Sequence, residues 1–239
     1  MRAAAPTLPG MPTLLTVNLA RPRPNPAKPG TGGTGIDKRP VDHPVEVRAP
    51  GPKHTGLHSG LVGDRIFDTR NHGGDDQAVY AYAREVLDRW AAELGKELPN
   101  GSFGENLTTA GLDVDGALIG ERWRIGPQVL LEVAVPRIPC TTFAYWLDER
   151  RWLRRFTEAA LPGAYLRVVE PGLIGAGDPV TVEHRPGHGV TVADCFRALT
   201  GDASLLPLLV DVAELPEDVR ELARRRTDRP PYAPGPDAP

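Results

Sequence analysis

The cysteine at position 140 has the clearest chemical potential in the sequence. It ends the segment Pro-Arg-Ile-Pro-Cys, directly after an apolar run at 129–135 and directly before a predicted helix. The positive end of a helix and the nearby charge of Arg137 both lower the pKa of a thiol, so we expect a thiolate at neutral pH. Thiolates are soft ligands of transition metals. On position alone, a buried and unreactive Cys140 is an equally good interpretation.

The other cysteine, Cys195, lies on the apolar side of a short predicted helix, next to Phe196. We expect it to be a packing residue. Two cysteines in 239 residues do not form a disulfide framework, so we expect two reduced thiols and a cytoplasmic protein.

A second candidate segment, at 68–80, contains Arg70, His72, Gly73 and Gly74 just before a predicted amphipathic helix. Two glycines at such a position allow backbone N–H groups to approach a ligand, and the helix dipole favours an anion there. Arg70 and His72 would add positive charge or hydrogen-bond donors. Taken alone, the His-Gly-Gly sequence is also typical of an ordinary tight turn.

Two further segments carry polar side chains beside glycines. Lys38 follows a loop rich in proline and glycine at 21–35, and Glu105 and Asn106 follow Gly104. Each segment by itself is equally typical of a solvated lysine or a simple turn.

The elements that must position these residues are mainly β-strands. Short apolar segments bounded by glycine, proline or aspartate predict strands at 14–20, 45–48, 123–125, 129–135, 164–170 and 180–183. Helical spacing of apolar residues predicts helices at 77–94 and 141–160, the latter with its arginines on a solvated face.

The character of the chain changes after His188. A cap-like Thr-Val-Ala-Asp at 191–194 and apolar segments at 205–210 and 216–226 predict three short helices. We therefore predict a flexible start at 1–12, a main domain at 13–187, a three-helix domain at 188–227 and a disordered tail at 228–239. Met1 and Met11 are both candidate start residues.

Composition excludes several function classes. The net charge is −3, with 28 basic and 31 acidic residues dispersed along the chain, so no basic field for nucleic acid exists. No apolar run approaches the roughly 20 residues of a membrane-spanning helix. We therefore expect a small-molecule site, without nucleic-acid or membrane partners.

In combination and in this order, the segments resemble the MOSC family, named for the C-terminal domain of molybdenum cofactor sulfurases, and in particular its YiiM-like branch. The segments that carry the resemblance are Gly-Ile-x-Lys-x-Pro at 35–40, Gly63-Asp64, His72-Gly73-Gly74 with Ala78-Val79-Tyr80, Phe-Gly-Glu-Asn-Leu at 103–107, Arg137-Ile-Pro-Cys140, Pro-Gly-Ala-Tyr at 162–165 and Gly175-x-Gly177-Asp178. The resemblance covers about residues 13–183.

The resemblance implies a β-barrel-like MOSC core with a small C-terminal three-helix domain. It also implies a molybdenum cofactor, an anionic pterin phosphate whose metal is coordinated by Cys140. The residues expected to hold the cofactor or orient the substrate are Lys38, Arg70, His72, Gly73, Gly74, Asn106 and Arg137, and those expected to be catalytic are Cys140, His72 and Arg70.

Family members that bind the cofactor reduce N-hydroxylated compounds, including hydroxylated purine bases, with electrons from a partner reductase. The sequence contains no flavin, haem or iron–sulfur motif, so we expect a separate electron donor. The protein could be a monomer or a homodimer.

Two alternatives remain open from the sequence. In one, Cys140 carries sulfur as a persulfide; in the other, the chain is a structural or partner-binding protein. Sulfurases of this family add a domain with a pyridoxal-phosphate lysine, for which 239 residues leave no room.

One departure from the family is Arg65-Ile66-Phe67, where many relatives have Gln or Lys after the aspartate, and it affects expectations about the substrate. We do not assign the loop histidines His54 and His58 as ligands.

Overall fold

A computed structural model describes residues 10–228. Residues 1–9 of the predicted flexible start and residues 229–239 of the predicted disordered tail lie outside the described residues. Ten strands and six α-helices make up the described fold. The strands are β1 (Thr13–Ala20), β2 (Lys38–Val41), β3 (Val45–Val47), β4 (Val79–Ala83), β5 (Leu107–Ala110), β6 (Arg122–Ile125), β7 (Val129–Pro136), β8 (Ala164–Glu170), β9 (Gly172–Ile174) and β10 (Val180–His184). The helices are α1 (Arg84–Leu94), α2 (Thr141–Leu147), α3 (Trp152–Ala159), α4 (Val192–Thr200), α5 (Leu206–Val210) and α6 (Glu217–Thr227).

Eight of the strands form one mixed sheet in the order β10-β6-β7-β8-β4-β5-β1-β2, and β3 pairs with β9 in a small second sheet. Within residues 10–228, β4 and β5 are the parallel pair and the other paired strands are antiparallel. The large sheet curls until β1 meets β10. Thr13 bridges to Pro179, and the Leu14 N–H donates to the Asp178 carbonyl oxygen at 2.9 Å. This contact gives the barrel-like core that the family resemblance implies.

Two apolar cores lie on either side of the sheet. One is aliphatic and fills the barrel, with residues such as Val79, Leu131 and Leu166. The other, here called the aromatic core, lies under α1, α2 and α3. It contains Tyr80, Tyr82, Trp90, Phe103, Phe143, Trp152, Phe156 and Phe196, with Leu87, Leu98, Leu147 and Ala160. Several of its ring pairs meet edge to face, as between Phe143 and Phe156 at 5.2 Å, an arrangement that suits their quadrupoles. Together the two cores fix β4, β7 and α2, which border the site described below.

The predicted helix at 77–94 is wrong in its first half, because residues 79–83 form strand β4 and the helix begins at Arg84. All five residues of β4 are buried, since the strand lies inside the sheet with both faces covered. A short run that is apolar on both faces fits an interior strand and a helix equally well by spacing. The predicted end of the helix is confirmed, at Gly95 in a left-handed conformation.

The predicted single helix at 141–160 is two helices. Asp148 and Arg151 adopt left-handed backbone conformations, with φ of 53° and 56°, and separate α2 from α3. The break turns the chain so that Phe143 and Trp152 both reach the aromatic core. The arginines at 150, 151 and 154 are exposed, as predicted, whereas Arg155 is only partly exposed and forms an ion pair with Glu93 at 2.8 Å.

The C-terminal helices α4 to α6 confirm the predicted helical unit, although a short 3-10 turn at Ala203–Leu205 precedes α5. Thr191 and Asp194 cap α4 reciprocally, each side chain accepting from the backbone N–H of the other. The unit packs on the barrel, because Cys195 and Leu209 join its aliphatic core. None of the helices within residues 10–228 is long and apolar enough to cross a membrane.

Candidate functional site

Cys140 lies where β7 has ended and α2 begins, with its side chain partly exposed. Burial by itself would raise the pKa of the thiol. A hydrogen bond from His72, the charge of Arg137 and the Phe143 amide together outweigh burial and lower the pKa to about 6. The group is therefore a thiolate at neutral pH, which is the reactive and metal-binding form.

Arg137 supplies a buried positive charge beside this thiolate. The residue is 5% exposed, and its guanidinium lies 3.7 Å from the centre of the Phe143 ring and 5.4 Å from that of Tyr80. Its Nη1 is buried without a hydrogen-bond partner among residues 10–228. No carboxylate of the described residues pairs with this guanidinium, so the charge is available to an anion in the site.

His72 reaches the same thiol from the loop that precedes β4. Its backbone N–H donates to the Asp68 carbonyl oxygen at 3.0 Å, which holds the turn. The Asp68 carboxylate forms an ion pair with Lys28 at 3.0 Å, across to the loop between β1 and β2. His72 and Cys140, which are 68 positions apart in sequence, thus share one small site.

Lys38 begins β2 and forms a buried ion pair with Asp64. The same carboxylate accepts hydrogen bonds from the Ser59 hydroxyl at 2.8 Å, the Asn106 amide at 3.0 Å and the Ala20 N–H at 2.9 Å. Burial alone would raise the pKa of Asp64, but Lys38 and these hydrogen bonds lower it. The Lys38 charge is therefore largely compensated inside the protein.

Asn106 lines the cleft, but its side-chain amide is already hydrogen-bonded to other groups of the protein. Its Oδ1 accepts from the Tyr80 N–H at 3.1 Å, and its Nδ2 donates to Asp64 at 3.0 Å and to the Asn18 carbonyl oxygen at 3.3 Å. Asn106 thus ties β1, β4 and Asp64 together. Its position on the wall supports the site, while its hydrogen-bonding groups are already used.

The structure does not bring Arg70, Gly73 and Gly74 into the cleft wall. Arg70 is exposed and lies outside the set of lining residues. The two glycines are buried against the loop at 53–58, and the Gly74 N–H donates to the His58 carbonyl oxygen at 3.0 Å. They precede a 3-10 turn and strand β4 rather than a helix, so the expected helix dipole is absent at this corner.

Around these groups lies a cleft that opens to solvent. Among the predicted site residues, Lys38, His72, Asn106, Arg137 and Cys140 line it. The other lining residues are Asn25, Gly33, Thr34, Gly35, Ile36, Arg65, Ile66, Phe67, Asp68, Tyr80, Gly104, Thr142 and Tyr165. The aromatic and aliphatic members of this set suit a flat organic ring.

Arg65 and Phe67 line the cleft, although they were not among the site residues predicted from the sequence. The Arg65 guanidinium lies 4.7 Å from the centre of the Phe67 ring. Close packing against the loop between β1 and β2 holds this pair. A Cβ atom on Gly35 would lie 2.1 Å from the Arg65 carbonyl oxygen, and one on Gly33 would lie 2.8 Å from Phe67. Only glycine fits at Gly35.

Tyr165 and Asn25 were also not assigned. Tyr165 belongs to the Pro-Gly-Ala-Tyr segment at 162–165, which is one of the segments that carry the family resemblance. Burial raises the pKa of this tyrosine, and the nearby positive charge of Arg137 opposes the shift. Asn25 lies in a proline-rich loop, where no sequence pattern indicates that an amide will be buried.

Residues 10–228 contain no cluster of three or more His, Cys, Asp or Glu side chains that could hold a metal ion. A metal in this cleft would thus depend on Cys140 together with ligands that come from a cofactor. The buried, unpartnered Nη1 of Arg137 beside a thiolate fits an anionic cofactor of this kind.

Comparison with known proteins identifies the family. Residues 68–181 match the model of the MOSC domain. The uncharacterized protein YflK of Bacillus subtilis (strain 168) is 30% identical over 220 residues, which are 91% of this chain and 95% of YflK. A protein named reductase from Gibberella moniliformis is 32% identical over 162 residues, covering 66% of this chain and 28% of that protein.

A solved structure shares the fold over nearly the whole chain. The crystal structure of YiiM from Geobacillus stearothermophilus superimposes with a TM-score of 0.71 at 25% identity, covering 90% of this chain and 98% of YiiM. The order of motifs, the barrel-like core with its helical unit and these relatives agree, and the chain belongs to the MOSC-domain family, in its YiiM-like branch.

Proposed function

We propose that the protein is a molybdenum-cofactor-dependent oxidoreductase that reduces N-hydroxylated compounds with electrons from a separate reductase. One observation carries the proposal. A thiol with a pKa of about 6 lies beside a buried guanidinium that has no carboxylate partner among the described residues. An anionic, metal-bearing ligand satisfies both groups.

The residues that would hold the cofactor follow from their charges. Cys140 would coordinate the metal as a thiolate, and Arg137 would face the negative charge next to it. Arg65, which is exposed at the cleft and forms no ion pair with any residue in 10–228, suits a phosphate group. Lys38 would act mainly by holding Asp64 and Asn106 in place.

The net reaction balances as R–NHOH plus two electrons and two protons giving R–NH2 and water. When bound, the cofactor would supply a metal centre that accepts oxygen and exchanges electrons in pairs. The protein would supply the rest: the His72 ring and the Tyr165 hydroxyl are candidate proton donors near the thiolate, and the aromatic wall would exclude water from a flat substrate. The name of the Gibberella moniliformis relative supports a reductase.

A sulfur carrier is the second candidate, because a thiolate that is partly exposed can also hold a persulfide. In that case Cys140 would receive sulfur from a separate desulfurase and pass it on. Both candidates use the same residue, so only the content of the purified protein separates them.

The test compares wild type with Cys140→Ser, both purified from a host that makes the cofactor. We expect near-stoichiometric molybdenum and pterin in wild type and loss of the metal in the variant, by elemental analysis and pterin fluorescence. Cys195→Ser is the matched control and should keep its metal, because Cys195 is buried in the barrel core. Equal metal in wild type and Cys140→Ser would overturn the proposal. Absence of metal from both, with a persulfide on Cys140 by mass spectrometry, would support the sulfur carrier.

A further inference from the structure

Asn25 lies in the loop between β1 and β2 and is 8% exposed, although most residues of that loop are at the surface. Its side chain lines the cleft. A buried amide normally has partners for both its nitrogen and its oxygen, because burying an unpaired polar group is costly.

The hydrogen-bond network fixes the orientation of this amide. Its Nδ2 donates to the Thr142 hydroxyl at 3.2 Å and to the Thr31 hydroxyl at 3.3 Å. The Thr31 Oγ1 lies 2.8 Å from the Lys28 carbonyl oxygen and 2.9 Å from the Gly33 carbonyl oxygen. A hydroxyl has one proton, which Thr31 gives to one of these carbonyls, so Thr31 can only accept from Asn25. The nitrogen must therefore face Thr31, and Oδ1 faces away.

The Asn25 Oδ1 is buried without a hydrogen-bond partner among residues 10–228. Within the described part of the cleft wall, one other buried side-chain atom lacks a partner, the Nη1 of Arg137. One of the two atoms is an acceptor and the other is a charged donor. A complementary ligand offers an anion or acceptor to Arg137 and a donor to Asn25.

The wall between them narrows the class of ligand. Phe67, Tyr80 and Tyr165 line the same cleft, and their rings favour a flat partner. On a flat heterocycle, the usual hydrogen-bond donors are amino groups and ring N–H groups.

We propose that Asn25 is a specificity-determining residue whose Oδ1 accepts a hydrogen bond from an amino group of the bound nitrogen heterocycle. The inference rests on the proposed function in so far as a heterocycle occupies the cleft. Two sources share this chemistry, namely the pterin of the cofactor and an aminated heterocyclic substrate, and the test separates them.

The test uses two pairs of compounds, in each of which only one member carries a 2-amino group; an oxo group replaces it in lumazine, and a hydrogen atom replaces it in 6-hydroxylaminopurine. Pterin and lumazine are titrated by fluorescence onto full-length protein from a host that cannot make the cofactor. The second pair, 2-amino-6-hydroxylaminopurine and 6-hydroxylaminopurine, is titrated by calorimetry onto molybdenum-loaded protein without an electron donor, so that no turnover occurs. Each result is the ratio of the two dissociation constants within a pair.

We expect wild type to prefer the amino compound of one pair by about tenfold, as for one hydrogen bond to a buried acceptor. Asn25→Leu should bring this ratio to about one. The matched control is Thr142→Val, which removes one anchor of the Asn25 amide but keeps Oδ1. This variant should weaken the binding of both compounds of a pair by the same factor and leave the ratio of their dissociation constants unchanged. Loss of preference in the pterin pair assigns Asn25 to the cofactor, and loss in the purine pair assigns it to the substrate.

A wild-type ratio near one for both pairs would overturn the inference, and this measurement needs no variant to fold. A ratio that survives in folded Asn25→Leu would overturn it as well. The proposed function fails separately, when no molybdenum is bound. In that event the pterin pair still tests Asn25. If the protein binds molybdenum but does not distinguish the two compounds of either pair, only the inference about Asn25 is contradicted.

Discussion

The guanidinium of Arg137 stacks on the ring of Phe143 at 3.7 Å, and this contact joins the chain that leaves β7 to helix α2 on either side of Cys140. An aromatic face holds a cation in place without neutralising it, whereas a carboxylate would cancel its charge. The positive charge thus remains effective at the thiol. The aromatic core, which positions Phe143, therefore contributes indirectly to the chemistry of the cysteine.

Arg137→Gln should raise the pKa of Cys140. The wild-type value of about 6 depends on His72 and on the Arg137 charge, and loss of an opposite charge at this distance shifts a pKa by about one unit or more. The measurement is the rate of iodoacetamide alkylation against pH, on protein without cofactor. The curve should move to higher pH, with slower alkylation at pH 6. Arg154→Gln, on the exposed face of α3, is the control and should leave the curve in place. An unmoved curve in Arg137→Gln would contradict the assignment.

The two cysteines should react very differently in the native protein. Cys195 is fully buried, and burial together with Asp194 raises its pKa to about 12, against about 6 for Cys140. One thiol should react rapidly with a disulfide reagent at pH 8, and the second only after unfolding in denaturant. Cys140→Ser should abolish the rapid phase and keep the slow one. Two rapid thiols in native wild type would show that the barrel core is open.

Most strands, and the position of the reactive thiol, could be predicted from the sequence because both depend in large part on neighbouring residues. Strands such as β7 and β8 are short apolar runs bounded by glycine or proline, and Arg137 acts on Cys140 from the same strand-to-helix junction, whereas the hydrogen bond from His72 comes from 68 positions away. The predicted helix over β4 failed because the strand depends on pairing with β5 and β8, and the burial of its faces depends on the two cores. Neither strand is visible from the five residues of β4 itself.

The candidate site was predictable only in part. Of the eight site residues that the resemblance implied, Lys38, His72, Asn106, Arg137 and Cys140 line the cleft, and Arg70, Gly73 and Gly74 do not. Local spacing also suggested Gly73 and Gly74, but both glycines pack against the loop at 53–58 and the Gly74 N–H donates to it, a tertiary contact that no local pattern encodes. Asn25 was missed because it is held in the cleft wall by a hydrogen bond to Thr142, which lies 117 positions away.

Lys38→Met should strongly destabilise the fold. The Lys38–Asp64 pair is buried, with the carboxylate side chain 1% exposed. Removing one partner leaves a buried charge unpaired, which lowers the free energy of unfolding by about 3–5 kcal/mol. Urea unfolding at pH 7 measures this loss. Lys28→Met breaks a more exposed pair with Asp68 and should cost under about 1 kcal/mol. The double variant Lys38→Met with Asp64→Asn should recover part of the loss. Equal stability of Lys38→Met and Lys28→Met would contradict the role of the buried pair.

Asp115→Asn should stabilise the protein at neutral pH. Asp115 is 5% exposed, and its Oδ1 accepts from the Gly163 N–H at 2.8 Å. Burial raises the pKa of this carboxyl to about 6 from an ordinary 3.8; the Gly163 N–H opposes the shift, and Asp113 adds to it. Between these two values the native state keeps a proton that the unfolded chain has lost. The free energy of unfolding therefore falls as pH rises from about 4 to about 6, by roughly 3 kcal/mol in total, and stays lower above that window.

The asparagine keeps the acceptor for Gly163 and carries no charge, so Asp115→Asn should lack this fall and exceed wild type in stability at pH 7. Urea unfolding at a series of pH values from 4 to 7 measures both effects. Asp113→Asn removes only the neighbouring charge and should reduce the slope by a smaller amount, because burial is the larger cause of the shift. Parallel pH dependence in wild type and Asp115→Asn would mean that the carboxyl is solvated in solution, and the turn at 113–116 would then have to open away from Gly163.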